Sequence, residues 1–432
     1  MCIRDRYLFN LIILFSFSCN QLYSQLAISF DNKGLACDAA VNSKNEIIMC
    51  GESALFSNLT NGKQIKSGYI AIGKLGDQCQ QYLLSDAKNS FRIDQCEYAN
   101  EQYYFSGYGF EDKRPILISC SKNMKINWAK NAIQLQPLGK SFLCTNSIGE
   151  CLISTRMPSS TAYYNFFSLI DATGKEIWTK KLDHIDLLSD IIHSAKGNFI
   201  IHFVAKGAYI EERKKYYTLP VIQVNSKGNS ENNFTIHIDR DQYPQISTNK
   251  IIESLNGDLY FLGSVTNAEK RMDLLVIKTN AMGEMLWCNA YKTDKELEIK
   301  TAQLNSTQGI TFVADSYGRK GGFLYGNIDP NGKILSNIFF PSKPFDQAKK
   351  LLNLNTSDLL FYDKTLQFSC LEYKNGKTCN NTTTAIEISI NPIKAISYKD
   401  QRKMEEAEMY WKIAEIKLTE KAKIKGSEDC IN

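Results

Sequence analysis

A chain of 432 residues that is 43% hydrophobic and 22% charged is neither disordered nor fibrous, and it is too long for one ordinary layered domain. The 51 Lys and Arg against 46 Asp and Glu leave a net charge of only +5, scattered along the chain. That balance argues against a nucleic-acid partner.

The chain opens on an apolar run, Leu8 to Phe17, behind Arg4 and Arg6. Such a run is too short to span a bilayer but suits the core of a signal peptide, so residues 1–24 are expected to be a leader cleaved after Ser24. Asp5 between the two arginines is unusual for a leader. A lipid anchor at Cys19 is the alternative, although Ser16-Phe17-Ser18 lacks the aliphatic residue such anchors carry three positions upstream. No later run is long enough to cross a membrane, so an exported mature chain without a membrane span is expected: periplasmic, cell-surface or secreted.

From Gln25 to Lys394 one unit recurs. An apolar alternating run leads into a polar turn, then into a second run that often carries Trp, as in SLIDATGKEIW and VIKTNAMGEMLW. The turn positions are Gly76, Met124, Gly174, Gly228, Gly283, Gly332 and Gly376, between 44 and 55 residues apart. Upstream of each lies a second hairpin, such as NSKNEIIMCG or SLNGDLYFLG, in which turn formers precede β-branched and aromatic residues. Each unit therefore holds four strands, which in the second unit divide as 91–98, 103–108, 115–121 and 126–133. Four-stranded units at this period predict an all-β fold, a seven-bladed β-propeller of antiparallel blades over residues 25–394. A strand at 26–30 is expected to close the ring, with 383–390 competing for the same place.

Beyond Ile396 the pattern changes. Residues 399–425 hold no Gly or Pro, and Met404, Ala407, Trp411, Ala414 and Leu418 recur at three- and four-residue spacing. This spacing predicts an amphipathic helix, so 395–432 is expected to be a C-terminal helix and tail docked on the propeller.

The unit LIDATGKEIW resembles the repeat of secreted bacterial β-propellers of Bacteroidetes-like proteins. Asp171, Thr173, Gly174 and Trp178 are also similar to the tryptophan-docking motif of quinoprotein propellers. The resemblance implies a propeller and export. Quinoprotein enzymes pair adjacent cysteines with a calcium site; this sequence has no adjacent cysteines, and no cofactor is expected. Such secreted proteins often end in a β-rich sorting domain, whereas a charged helix is expected here.

Few residues point to chemistry. The histidines His184, His193, His202 and His237 form no metal-binding spacing and are expected to be surface or loop residues. Asp239-Arg-Asp241 and Asp329-Pro-Asn-Gly332 lack the ligand count of a calcium loop, and the latter reads as a turn; no metal is expected. Asp86, Asp183, Asp239 and Asp294 follow their turns by 9–11 residues, in the crossings between units. They offer an acidic collar on one face near the axis, able to bind a cation or a basic partner, or else caps for local turns. Two hairpins place Cys37 across from Cys50 and Cys144 across from Cys151, giving two candidate disulfides. The leading functional expectation is a non-catalytic exported propeller that binds a protein or glycan at the cell envelope. The alternative is a hydrolase or lyase with its site at the axial opening.

Overall fold

A computed structural model describes residues 35–53, 66–74, 78–86, 90–111, 113–132, 141–158, 163–183, 187–204, 208–211, 214–316, 321–340, 348–353, 357–362, 368–373, 385–400 and most of 402–425. The expected leader with Cys19, the closing strand at 26–30 and His184 lie outside them.

The described residues form seven antiparallel sheets in sequence order. The second unit is representative: Phe91–Ala99, Gln102–Gly109, Pro115–Ser121 and Ile126–Ala132 form a meander, close to the divisions read from its turns. Five units hold four strands each, the fourth unit adds a short strand, Ala208–Glu211, beside Lys214–Val224, and the described residues of the seventh form Ala348–Asn353, Ser357–Tyr362 and Phe368–Tyr373. The first strand of each unit packs on the first strand of the next, and that of the seventh packs on that of the first.

The turns explain the period. In the turn before the fourth strand, the side chain of Asp171 accepts the Thr173 and Lys175 amides, both at 2.9 Å. Asn225, Asn280 and Asp329 make the same pair of bonds in their own units. Three residues past each acceptor comes a position at positive φ, held by Gly174 at 88° and Gly228 at 77°, where a Cβ is disfavoured. Met124 occupies that position in the second unit with φ 57°.

The glycines also lie against the preceding unit. A Cβ on Gly174 would stand 2.9 Å from the Trp128 ring, and one on Gly228 3.1 Å from Trp178. Trp128, Trp178 and Trp287 donate their indole N–H to the carbonyls of Ala172, Ser226 and Pro330, at 2.9, 2.9 and 3.1 Å. Each carbonyl lies two residues before its glycine, so the three tryptophans occupy equivalent places.

A single four-stranded sheet cannot bury both faces, and the core lies between sheets rather than within any one of them. One apolar cluster joins units one and two around Ile48, Tyr82, Phe91 and Phe105. Others join units three and four through Phe167 and Phe203, four and five through Phe234 and Phe261, and five and six through Tyr260 and Phe312. This is a propeller-like stack of repeated all-β units.

The C-terminal segment overturns the expected helix. Its described residues are extended and add a strand to the outer edge of one unit after another, in descending order. Ser389–Pro392 pairs with Met285–Lys292 of unit five and Ala395–Lys399 with Ser230–Asp239 of unit four. Glu405–Glu406 pairs with Glu176–Asp183 of unit three, Trp411–Ile413 with Ile126–Ala132 of unit two, and Ile416–Glu420 with Gln78–Asp86 of unit one. Residues 389–390, expected to compete for ring closure, belong to this belt.

The reason for the difference is geometric. Met404, Trp411 and Leu418 are seven residues apart, which puts them on one face of a helix. Seven extended residues instead reach roughly 23 Å, enough to step from one unit to the next. Each of these side chains packs into a different junction: Met404 between units three and four, Trp411 between two and three, Leu418 between one and two. A lone helix would leave the outer strands with unpaired N–H and C=O groups; the belt pairs them.

Candidate functional site

The inner strands carry a ring of side-chain clasps. The first strands of units one, two, four, five, six and seven each have a register break, ahead of Asp38, Gln95, Asp190, Lys250, Thr301 and Lys350. A bulge turns the following side chain toward the neighbouring unit. Asp38 Oδ2 accepts the Cys96 amide at 3.0 Å, and Gln95 Oε1 accepts that of Leu143 at 2.7 Å. Asp190 Oδ2 accepts the Ile251 amide at 3.1 Å, and Thr301 Oγ1 that of Leu351 at 3.0 Å.

Two lysines complete the ring. Lys250 lies 2.9 Å from Asp190, and Lys350 lies 3.2 Å from Asp38, joining the seventh unit to the first. Burial opposes the Lys350 charge, but Asp38 and Glu97 outweigh it and hold the ammonium above its ordinary value. Burial also pushes the Glu97 carboxyl up, against the pull of Lys350 and Lys250. Thr145 Oγ1 donates to Glu97 Oε2 at 3.4 Å.

The four aspartates singled out from the sequence are equivalent but peripheral. Asp86, Asp183 and Asp239 end the fourth strands of units one, three and four, and Asp294 follows that of unit five. The fourth strand is the outermost of its unit's meander, and Asp86 lies in register with Ile416 of the belt. Asp239 accepts the Asp241 amide at 2.9 Å, as a turn cap does. Exposed Asp294 lies 3.5 Å from Lys295 and lines a cleft of about 560 Å³ with Arg271, Lys292, Thr293, Glu387 and Ser389. That cleft forms where the belt meets unit five.

Neither expected disulfide is present. The register places Cys144 opposite Leu152 and Cys151 opposite Thr145, one residue away from the expected pairing. The two thiols consequently enter different clusters. In the first unit the bulge falls at Cys37, and Cys50 stands opposite Asp38.

His202 also departs from expectation. It is 0% exposed, its Nε2 is 2.7 Å from Thr248 Oγ1, and its ring lies 5.0 Å from that of Phe261. Burial lowers its pKa from 6.5 to about 4. His193 is half-buried against Phe199, and His237 is buried beside Tyr216 and Tyr398.

One face carries exposed apolar turn residues. The turn between the first two strands and the turn between the last two lie at the same end of a four-stranded meander. There Ile148 is 62% exposed, Leu255 80% and Met282 64%. Beside Met282 a pocket of about 200 Å³ is lined by Lys196, Asn198, Glu231, Asn232 and Glu253. Among the described residues no helix is long and apolar enough to cross a membrane, and no group of three or more His, Cys, Asp or Glu is placed to hold a metal ion.

No family model and no curated protein matches the sequence. The structure is similar to a protein of unknown function from Bacteroides caccae, at 14% identity over 64% of this chain and 94% of that one, with a TM-score of 0.35. It is also similar to extracellular domains 1–2 of Drosophila semaphorin 1a, at 8% identity over 80% of this chain and 87% of that one, with a TM-score of 0.47. At these scores neither likeness bears on activity, and the description of the fold rests on the sheets themselves.

Proposed function

We propose that the chain is an exported seven-bladed β-propeller that binds a protein or glycan at the cell envelope and does not catalyse a reaction. The observation that carries this reading is the exposure of Ile148, Leu255 and Met282 on one turn face. Apolar tips beside a charged pocket suit recognition. The inner clasps support it, because Asp38, Gln95, Asp190 and Thr301 spend their acceptors on the backbone of the next unit. A photo-crosslinking residue at Leu255 tests the proposal in intact cells, with Lys270 on the opposite face as control. A defined adduct from position 255 but not from 270 is expected; no adduct from 255, or the same adducts from both, overturns it.

A hydrolase or lyase is the second reading, and one observation favours it. Glu97 has a carboxyl raised by burial beside two lysines of the inner ring, as a general acid requires. Turnover of a glycan or ester panel that disappears in Glu97→Gln would establish it.

A further inference from the structure

The pocket beside Met282 is built jointly by units four and five. The turn between Leu187–His193 and Phe199–Val204 and the start of Ser230–Asp239 form its unit-four wall. The end of Gln245–Glu253, Gly257 and the turn holding Ala281 and Met282 form the other. Ile200, Leu259 and Met282 supply apolar lining. Its volume of about 200 Å³ falls below the roughly 300–1,000 Å³ of sites for drug-sized molecules and suits one long side chain.

Hydrogen bonds hold the walls in place. Ser194 Oγ and the Ala195 amide donate to Glu253 Oε1 and Oε2, at 2.6 and 2.8 Å. Asn198 and Asn225 donate to Glu231 Oε2 and Oε1, at 3.0 and 2.6 Å. Asn232 Nδ2 donates to the Ala281 carbonyl at 2.9 Å. A carboxylate offers about four acceptor positions, so both glutamates keep capacity for a further donor.

Gln223 is the more telling group. It is 8% exposed, its Nε2 donates to the Ala281 carbonyl at 3.2 Å, and its Oε1 accepts no hydrogen bond among the described residues. An acceptor in a nearly buried amide, lining a pocket and left without a donor, points to a ligand that brings one. Lys196 lies beside Gly257 and makes no ion pair among the described residues. Two carboxylates against this one ammonium leave the pocket net negative.

We propose that the pocket takes an arginine side chain of a protein partner. The methylene stem packs on the apolar lining, and the guanidinium donates to Glu231, Glu253 and Gln223 Oε1. A guanidinium only donates and carries a charge, which matches these acceptors better than a neutral sugar hydroxyl does. The inference rests on the turn face being a recognition surface, and it names the partner there as a protein.

The experiment is calorimetric titration of the full chain with the acetylated, amidated peptide Ala-Leu-Arg-Leu-Ala. The same peptide with citrulline, a neutral isostere, in place of arginine is the comparison. The arginine peptide is expected to bind, and the citrulline peptide to bind about tenfold more weakly or worse. The double variant Glu231→Gln, Glu253→Gln is expected to lose about the same factor for the arginine peptide and nothing for the citrulline one. Equal affinity for the two peptides, or no binding of the arginine peptide at about 1 mM, overturns the proposal. So does a double variant that binds like the wild type, or a panel of monosaccharides that binds where the peptide does not. The two peptides are compared on the wild type, which decides the matter even if the variant does not fold. The cross-link from position 255 tests the turn face separately, so either reading can fail without the other.

Discussion

Acid should weaken the fold through His202 in a calculable way. The imidazole is fully buried between units four and five, against Thr248 and Phe261, and burial lowers its pKa from 6.5 to about 4. A base with a depressed folded pKa is neutral in the fold and takes up its proton first in the unfolded chain. Its contribution is therefore complete above pH 6.5 and is lost as the pH falls toward 4. With these two values the loss by pH 5 is about 2 kcal/mol, approaching about 3 kcal/mol below pH 4. Urea unfolding of the wild type and of His202→Gln at pH 8 and pH 5 is the assay, because carboxylates that titrate in this range are common to both proteins. The variant is expected to be less stable at pH 8 but to lose about 2 kcal/mol less on acidification. Equal losses in the two proteins would refute the reasoning.

Other consequences are equally direct. Met409 is 3% exposed against Ala132, Phe166 and Trp411, and Met409→Ala should cost about 2–4 kcal/mol in chemical denaturation, with faster proteolysis of the belt. Gly174→Ala places a Cβ at φ 88° and 2.9 Å from the Trp128 ring, so it should lower stability by more than about 1 kcal/mol, visible as a drop in Tm. Lys350→Ala breaks the link between units seven and one. A loss of about 1–3 kcal/mol is expected from urea unfolding, less than for a fully buried pair because 32% of the Lys350 side chain remains exposed.

The repeated turns were legible because their chemistry is local. Asp171 and Asp329 close a turn by their own side chains, Gly174 supplies the positive φ, and Trp178 reports contact with the next unit. The inner clasps were not legible, because what repeats there is a backbone bulge. Asp38, Gln95, Lys250 and Thr301 share a position but no residue type. Asp86, Asp183 and Asp239 end the outermost strand of their units and Asp294 follows one, whereas the sequence reading placed all four near the axis. The cysteine pairings failed on register: one bulge at Cys37 and a one-residue offset at Cys144 send those side chains elsewhere. The belt was misread because Met404, Trp411 and Leu418 satisfy two geometries at once. The choice between them lies in the unpaired outer strands of other units, which no local window contains.

That belt is the feature on which the architecture stands most exposed to test. Lysine cross-linking with mass spectrometry of the full chain reads its order directly. Links from Lys399 to unit four, from Lys412 to Lys130 of unit two and from Lys417 to unit one are expected, in descending order along the tail. Links confined within the tail at four-residue spacing, or contacts with the units in ascending order, would contradict it.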